Sequence, residues 1–373
     1  MAGPRLLIVG GSGLAGGFIA SAVLESTDAS VVLAARDEAR LREAAARVEG
    51  QFAARVSTTL LDVSEPESLK RAFDGVDAVV VAAQANRYGA GIARAALDAA
   101  ADVIDITYTP GVEHPMEPLR TEAEASKRCL VTDAGLLPGL AAFLVRLIGG
   151  RMDRLDTAFV GAVMHPKAGW PHETMVEVVE VLSDPPVLLW RDGDWRRSRL
   201  LGMADRRTFD FGPSWGRHKC SPVLYPEMRA MPELFPSLRE TGTFHATNAF
   251  ADGVALPLAM IGMRIAPRHT KHAAARFLEW GMRRFARAPY GAAMQVDATG
   301  ESAGSPTRAS VTISHPNEYE ATGQVVAAFV NQWSDGKARA PGLHPMGALV
   351  DPEPFLQALA PVGFETRAEP EGA

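Results

Sequence analysis

A chain of 373 residues, 47% apolar and 22% charged, has the composition of an ordinary globular protein and is long enough for two domains. Its net charge of -6 offers no overall basic field to nucleic acid or to an anionic membrane. Cys129 and Cys220 stand without a Cys-x-x-Cys spacing, which argues against a disulfide framework or a thiolate zinc site and fits a reducing cytoplasm.

Taken in chain order, an apolar strand from Arg5 leads into Gly11-x-Gly13-x-x-Gly16 and a helix over Leu14 to Glu25. In such a unit the first glycine permits the tight turn, the second lets backbone approach a pyrophosphate, and the third packs the helix on the strand. A second strand, Ser30 to Ala35, completes a βαβ unit and ends at Arg36-Asp37. An arginine here pairs with a 2′-phosphate where an acidic residue would take ribose hydroxyls, so Arg36 points to NADP. Asp37 reads mainly as the cap of a helix reaching Gly50. The strand Ser57 to Leu61 follows, then Ser64-x-x-Glu67 as a capping box before a helix over Pro66 to Phe73. Val76 to Ala83 reads as a strand covered on both faces. A helix from about Gly91 to Ala101 and strands Asp102 to Thr107 and Leu130 to Asp133 bring the parallel set to roughly six.

The texture changes past Gly149-Gly150. Strands are expected at Leu155 to Val163, at a hairpin around Asp192-Gly193, and at Arg207 to Phe211, Thr241 to Ala246 and Ala309 to Ser314. Helices are expected at Val254 to Arg264, His272 to Arg287, Tyr319 to Trp333 and Pro352 to Leu359, and a flexible loop at Gly300 to Pro306. The division is therefore 1–150 for a doubly wound nucleotide-binding domain, 151–339 for an α+β substrate or dimerisation domain, and about 340–373 as a return to the first. The most apolar helix, Leu136 to Ile148, is too short for a bilayer and contains Arg146. The first strand starts too early to leave space for a signal peptide.

Ligands of open parallel sheets lie beyond the carboxyl ends of the strands. Those ends supply Gly11, Ser12, Gly13, Leu14 and Ala15, then Arg36 and Asp37, Asp62 and Val63, Ala82, Ala83 and Gln84, and finally Gly135, as the cofactor-binding set. Tyr108 is the catalytic candidate on the fifth strand end. His165 and Lys167, in the loop after the first strand of the second domain, are the others. Arg217, His218 and Lys219 could hold a substrate carboxylate, although a solvated basic run explains them as well. The histidines show no metal-ligand spacing. No tyrosine is followed by lysine at the Tyr-x-x-x-Lys spacing, which argues against a short-chain dehydrogenase.

The glycine turn, Ala35-Arg36-Asp37, Val103 to Thr107, Thr132 to Gly139 and the distal His344 to Phe355 together resemble the saccharopine dehydrogenase-like oxidoreductases. The resemblance implies a Rossmann domain, a second domain built on a mixed sheet, and a homodimer. The expected activity is NADP(H)-dependent hydride transfer to or from a small amino-acid-derived imine or ketone. An NADP sensor without turnover and an enoyl reductase-like enzyme are the alternatives.

Overall fold

A computed structural model describes residues 3–371 apart from 84, 110–112, 168, 171, 173, 174, 177, 178, 180–187 and 199–203. Two units emerge, one holding the described residues of 1–109, 113–146 and 319–362, the other those of 147–318 and 363–371. The first is a parallel sheet of β1 (Arg5–Val9), β2 (Ser30–Ala35), β3 (Val56–Leu60), β4 (Ala78–Val81), β5 (Asp102–Asp105), β6 (Cys129–Thr132) and a return strand, Gly342–Pro345. The strands run in the order return, β6, β5, β4, β1, β2, β3. This is the doubly wound order with one strand added at its edge. Helices cover the sheet, so β4 is buried along its whole length and needs only alanine and valine.

Helix α1 (Leu14–Ser26) follows β1, and α2 (Glu38–Glu49) follows β2 with the Asp37 carboxylate accepting from the Arg40 N–H at 3.0 Å. Helix α3 (Pro66–Phe73) begins where its sequence suggested, but the Ser64 capping box does not form. Ser64 instead donates both its N–H and its hydroxyl to Asp62 Oδ1, at 2.9 and 2.6 Å, and Pro66 starts the helix in its place. Helices α4 (Gly89–Asp98), α5 (Arg120–Ala125) and α6 (Leu140–Gly149) complete the series.

The long helix Glu318–Ser334 and the return strand are fixed to this unit by Asp102, at the start of β5 and fully buried. Its Oδ2 accepts from Trp333 Nε1 at 2.9 Å and from Arg339 Nε at 2.7 Å, and its Oδ1 accepts from the Cys129 N–H at 3.0 Å. Arg146 on α6 donates to the carbonyls of Gly347 and Val350. Asp102→Ala leaves a buried indole N–H and a guanidinium without their acceptor and should cost about 3 kcal/mol in denaturant unfolding. A loss below about 1 kcal/mol would mean that the clasp is redundant.

In the second unit a mixed sheet is built from β7 (Arg154–His165), β8 (Leu188–Arg191), β9 (Asp194–Arg197), β10 (Arg207–Asp210), β11 (Arg217–Val223), β12 (Glu240–Ala246), β13 (Gly291–Ser302), β14 (Ser305–His315) and a last strand, Glu365–Glu371. The order is β10, β11, β12, β7, β13, β14 and the last strand, with β8 on β12 and β9 on β8. Glycines on the central strands make room for large side chains: a Cβ on Gly161 would lie 2.4 Å from the Phe209 ring, and one on Gly242 2.3 Å from Leu189. Asp192 and Gly193 turn the β8–β9 hairpin with φ of 49° and 86°. These are the two positive values a two-residue turn requires. The expected loop at Gly300 to Pro306 is a correction, because β13 and β14 stay paired to Ser302↔Ser305 around Ala303 and Gly304. Beside the sheet, α7 (Leu256–Ile265) and α8 (Pro267–Arg284) pack through Ala255, Ala259, Met263, Ala275, Leu278 and Met282.

Candidate functional site

The carboxyl edge of β1 to β4 gathers most of the residues expected to hold a cofactor. Gly10, at φ +83°, reverses the chain after β1, and its N–H donates to the Ala34 carbonyl at 2.9 Å. The tight-turn geometry thus resides at Gly10 rather than Gly11. Gly11 is required for another reason: a Cβ there would sit 2.9 Å from Leu33 Cα on β2. A Cβ on Gly16 would lie 2.4 Å from the Gly10 carbonyl oxygen, so this glycine sets α1 down on the turn. Gly13 is the N-cap of α1, where no side chain caps the helix and the first turn holds no acidic residue. The amides of Leu14, Ala15 and Gly16 therefore present a positive helix end suited to an anion. Ser12 is half-buried, and the Leu14 side chain is exposed beside it.

Arg36 is exposed at the end of β2. It lies close enough to Asp62, at the end of β3, for its charge to help hold that carboxyl below its usual range, after the larger effect of the two bonds from Ser64. Val63 is half-buried against the core beneath. The Ala82 N–H donates to the Val9 carbonyl at 3.0 Å, and Ala83 packs over Gly10, where an added Cβ would come within 2.8 Å of Ala83 Cβ. Gln84 lies outside the described residues. Gly135 is buried in the turn after β6, its N–H donating to the Pro138 carbonyl at 3.0 Å. Asp37 is engaged as the α2 cap.

The ends of β5 and β6 carry a polar cluster that sequence reasoning only partly found. Asp133, the residue after β6, is buried and adopts φ 53°, a left-handed conformation in which a non-glycine residue is strained. Its Oδ2 accepts from the Thr132 hydroxyl at 2.8 Å. Burial pushes its carboxyl up to about 6, aided by the neighbouring Asp105 and opposed by the Thr132 bond and by His114. Tyr108 faces the same carboxylate, and burial with that charge pushes its phenol up to about 12. Asp105 ends β5 and accepts the Thr107 N–H at 2.8 Å; Thr107 Oγ1 also lies 2.7 Å from Asp105 Oδ1 and 2.8 Å from Asn86 Oδ1. His114 accepts the Met116 N–H at Nδ1, which leaves its proton on Nε2, 3.6 Å from Asp105 Oδ2. Among the described residues, His114 Nε2 and Thr109 Oγ1 are buried polar atoms without a hydrogen-bond partner. A carboxyl that titrates near neutrality beside such atoms can give or take a proton.

His165 and Lys167 belong to the second unit. The His165 ring places Nδ1 3.0 Å from the Pro289 carbonyl and Nε2 3.3 Å from the Thr247 carbonyl, against Trp215 and His218. Lys167 is exposed in the bend after β7. Arg217, His218 and Lys219 alternate along β11, the two cations exposed and the imidazole Nε2 2.9 Å from the Trp215 carbonyl. Burial and the nearby His165 push His245, on β12, down to about 4. Asp252 accepts the Thr247 N–H and hydroxyl, both at 2.7 Å, while burial raises its carboxyl.

Residues 6–131 match the family model for the saccharopine dehydrogenase NADP binding domain. No curated protein sequence matches the chain. Among solved structures, an apo histidine-tagged saccharopine dehydrogenase (L-Glu forming) from Saccharomyces cerevisiae aligns with 98% of this chain and 100% of its own, with TM-score 0.69 and 14% identity, and so shares its fold. A short-chain dehydrogenase/reductase from Veillonella parvula in complex with NADP covers 29% of this chain and 48% of its own, at TM-score 0.25 and 21% identity. L-Sorbose reductase from Gluconobacter frateurii, complexed with NADPH and L-sorbose, covers 35% and 68%, at TM-score 0.30 and 20% identity. Neither of these two likenesses is strong enough to carry an argument.

Proposed function

For a chain that is saccharopine dehydrogenase-like in its amino-terminal domain and its fold, we propose an NADP(H)-dependent oxidoreductase acting on a small amino-acid-derived imine or ketone. The observation that carries this reading is the uncapped amino end of α1, held by the Gly10–Gly16 turn and flanked by the exposed Arg36. The glycines let the turn and the start of α1 sit directly on β2 and on Gly10, so that the first-turn amides converge at the end of β1, which fits a pyrophosphate. When bound, the nicotinamide supplies or takes a hydride.

The chain's own residues do the rest. The backbone amides of Leu14, Ala15 and Gly16 would hold the pyrophosphate, the Arg36 guanidinium would pair with the 2′-phosphate, and Ala82 and Ala83 leave space beside the turn. Asp133, its carboxyl raised to about 6, holds a proton below that pH and can hand it to a substrate nitrogen or oxygen, while its ionised form can accept one in reverse. Tyr108 keeps its phenolic proton at neutral pH and serves as a hydrogen-bond donor rather than a base. His114 Nε2 is an N–H 3.6 Å from Asp105 Oδ2, beyond hydrogen-bond reach, and is left as a donor for a bound group.

Arg36→Ala should lower the preference for NADPH over NADH about 10- to 100-fold, the value of one charge-assisted pair. An unchanged ratio of dissociation constants would remove Arg36 from the site. The activity itself is tested by following NADPH oxidation with 2-oxo acids, each with and without an amine, beside direct binding of NADPH. Turnover of at least one mixture is expected. Tight NADPH binding without turnover across the panel would replace the enzyme with a binding-only protein.

A further inference from the structure

Exposed large apolar side chains concentrate on one part of this protein. Val254, Leu258, Ile261 and Ile265 are between 43% and 79% exposed. Their spacing of four, three and four residues sets them in one stripe along α7 and the helical turn Ala251–Ala255 that leads into it, opposite the buried Ala255, Ala259 and Met263. The stripe continues at its amino end into Phe250, whose ring meets Phe277, Trp280 and Phe285 at centroid distances of 5.7, 5.5 and 4.6 Å. Those three rings are exposed as well, Trp280 by 51%. A continuous face of this size calls for an apolar environment.

The charge beside it indicates which one. In a chain of net charge -6, residues 253–290 carry seven arginines and lysines and one acidic residue, Glu279. Arg276, Arg283, Arg284 and Arg287 are exposed; helical spacing places Arg276 and Arg283 along the border of the aromatic arc on α8, and Arg287 follows just past its end. Glu279 is already within 3.3 Å of Arg283. The nearby Asp252 is turned inward onto Thr247. A second copy applied to this face by two-fold symmetry would set arginine against arginine, and Glu279, the one acid among the described residues of α7 and α8, is already engaged. An anionic lipid surface matches both properties: its acyl boundary takes leucine, isoleucine and tryptophan, and its phosphates take the arginines.

We propose that the α7–α8 face docks the protein on anionic membranes, lying in the interface without crossing it. The mean charge of the chain conceals this, because the cations are gathered on one helical pair. The inference is independent of the proposed catalytic chemistry.

The test is co-sedimentation of the full-length chain with vesicles of phosphatidylcholine alone and of phosphatidylcholine with one third phosphatidylglycerol. Partitioning into the anionic vesicles should be at least about tenfold stronger and should fall steeply with added salt. Ile261→Asp and the pair Arg276→Glu with Arg284→Glu should each reduce it by about tenfold or more, with circular dichroism unchanged. Equal partitioning into both vesicle types, or none into either, overturns the proposal. So does a sedimenting dimer that Ile261→Asp dissociates, because a second copy would then cover the face. Should a variant fail to fold, the lipid and salt series on the unaltered chain decides alone.

Discussion

Asp133→Asn is expected to lower turnover by at least about 100-fold while leaving the protein as stable as before, or more so, above neutral pH. Burial raises the native carboxyl to about 6 from the ordinary 3.8, so the folded state binds the proton more tightly than the unfolded chain. Below the unfolded value both states are protonated and nothing is lost. As pH rises through the interval between the two values, the native state must hold a buried charge, and stability falls. Asparagine has no such titration, so its advantage over aspartate should grow between about pH 4 and about pH 6 and level off above that. The same titration sets the direction of catalysis. If the acid form protonates the substrate, reduction slows as pH rises through about 6, whereas oxidation, which needs the base form, gains. Urea unfolding at the two pH values, combined with turnover in both directions, checks this. Full turnover in the variant, or an equal loss of stability at both pH values, would relieve Asp133 of its role.

Gly16→Ala should weaken NADPH binding by about 100-fold or more, whereas Gly17→Ala, one residue further along α1, should bind normally. The added Cβ at position 16 would stand 2.4 Å from a backbone oxygen of the turn, which cannot yield as a side-chain tip can. The helix must then lift off Gly10 and carry its first-turn amides away from the anion. At position 17 nothing lies within 4 Å, and alanine should stabilise the helix by about 1 kcal/mol. Comparable binding by the two variants would mean that the close approach of α1 to the turn does not shape the site.

How legible this was in the sequence depended on how local the cause was. The βαβ pattern, Pro66 at the start of α3 and the Asp192-Gly193 hairpin follow from periodicity and turn chemistry within a few residues. The seventh strand of the first sheet, Gly342–Pro345, has four residues, among them glycine and proline, and exists through pairing with β6. In β13, alanines and glycines stand where β-branched residues would announce a strand, and its pairing with β7 and β14 overrides that weak propensity. Ser64 satisfied a capping pattern yet found a nearer acceptor in Asp62.

The site divides in the same way. The glycine turn and Arg36 form a contiguous motif and were visible. Asp105 and Asp133 also left a signal, each being a carboxylate at the carboxyl end of an apolar strand, where packing does not ask for one. His114, whose contacts to Asp105 and Met116 arise in an aperiodic loop, left none. Asp102 looks like any residue opening a strand, because its partners Trp333 and Arg339 lie more than two hundred residues away.

Calorimetric titration of the full chain with NADPH and with NADH tests the central claim most directly. The account predicts saturable binding at one site per chain, with NADPH at least about tenfold the tighter. Absence of heat with both nucleotides, confirmed by equilibrium dialysis, would contradict it.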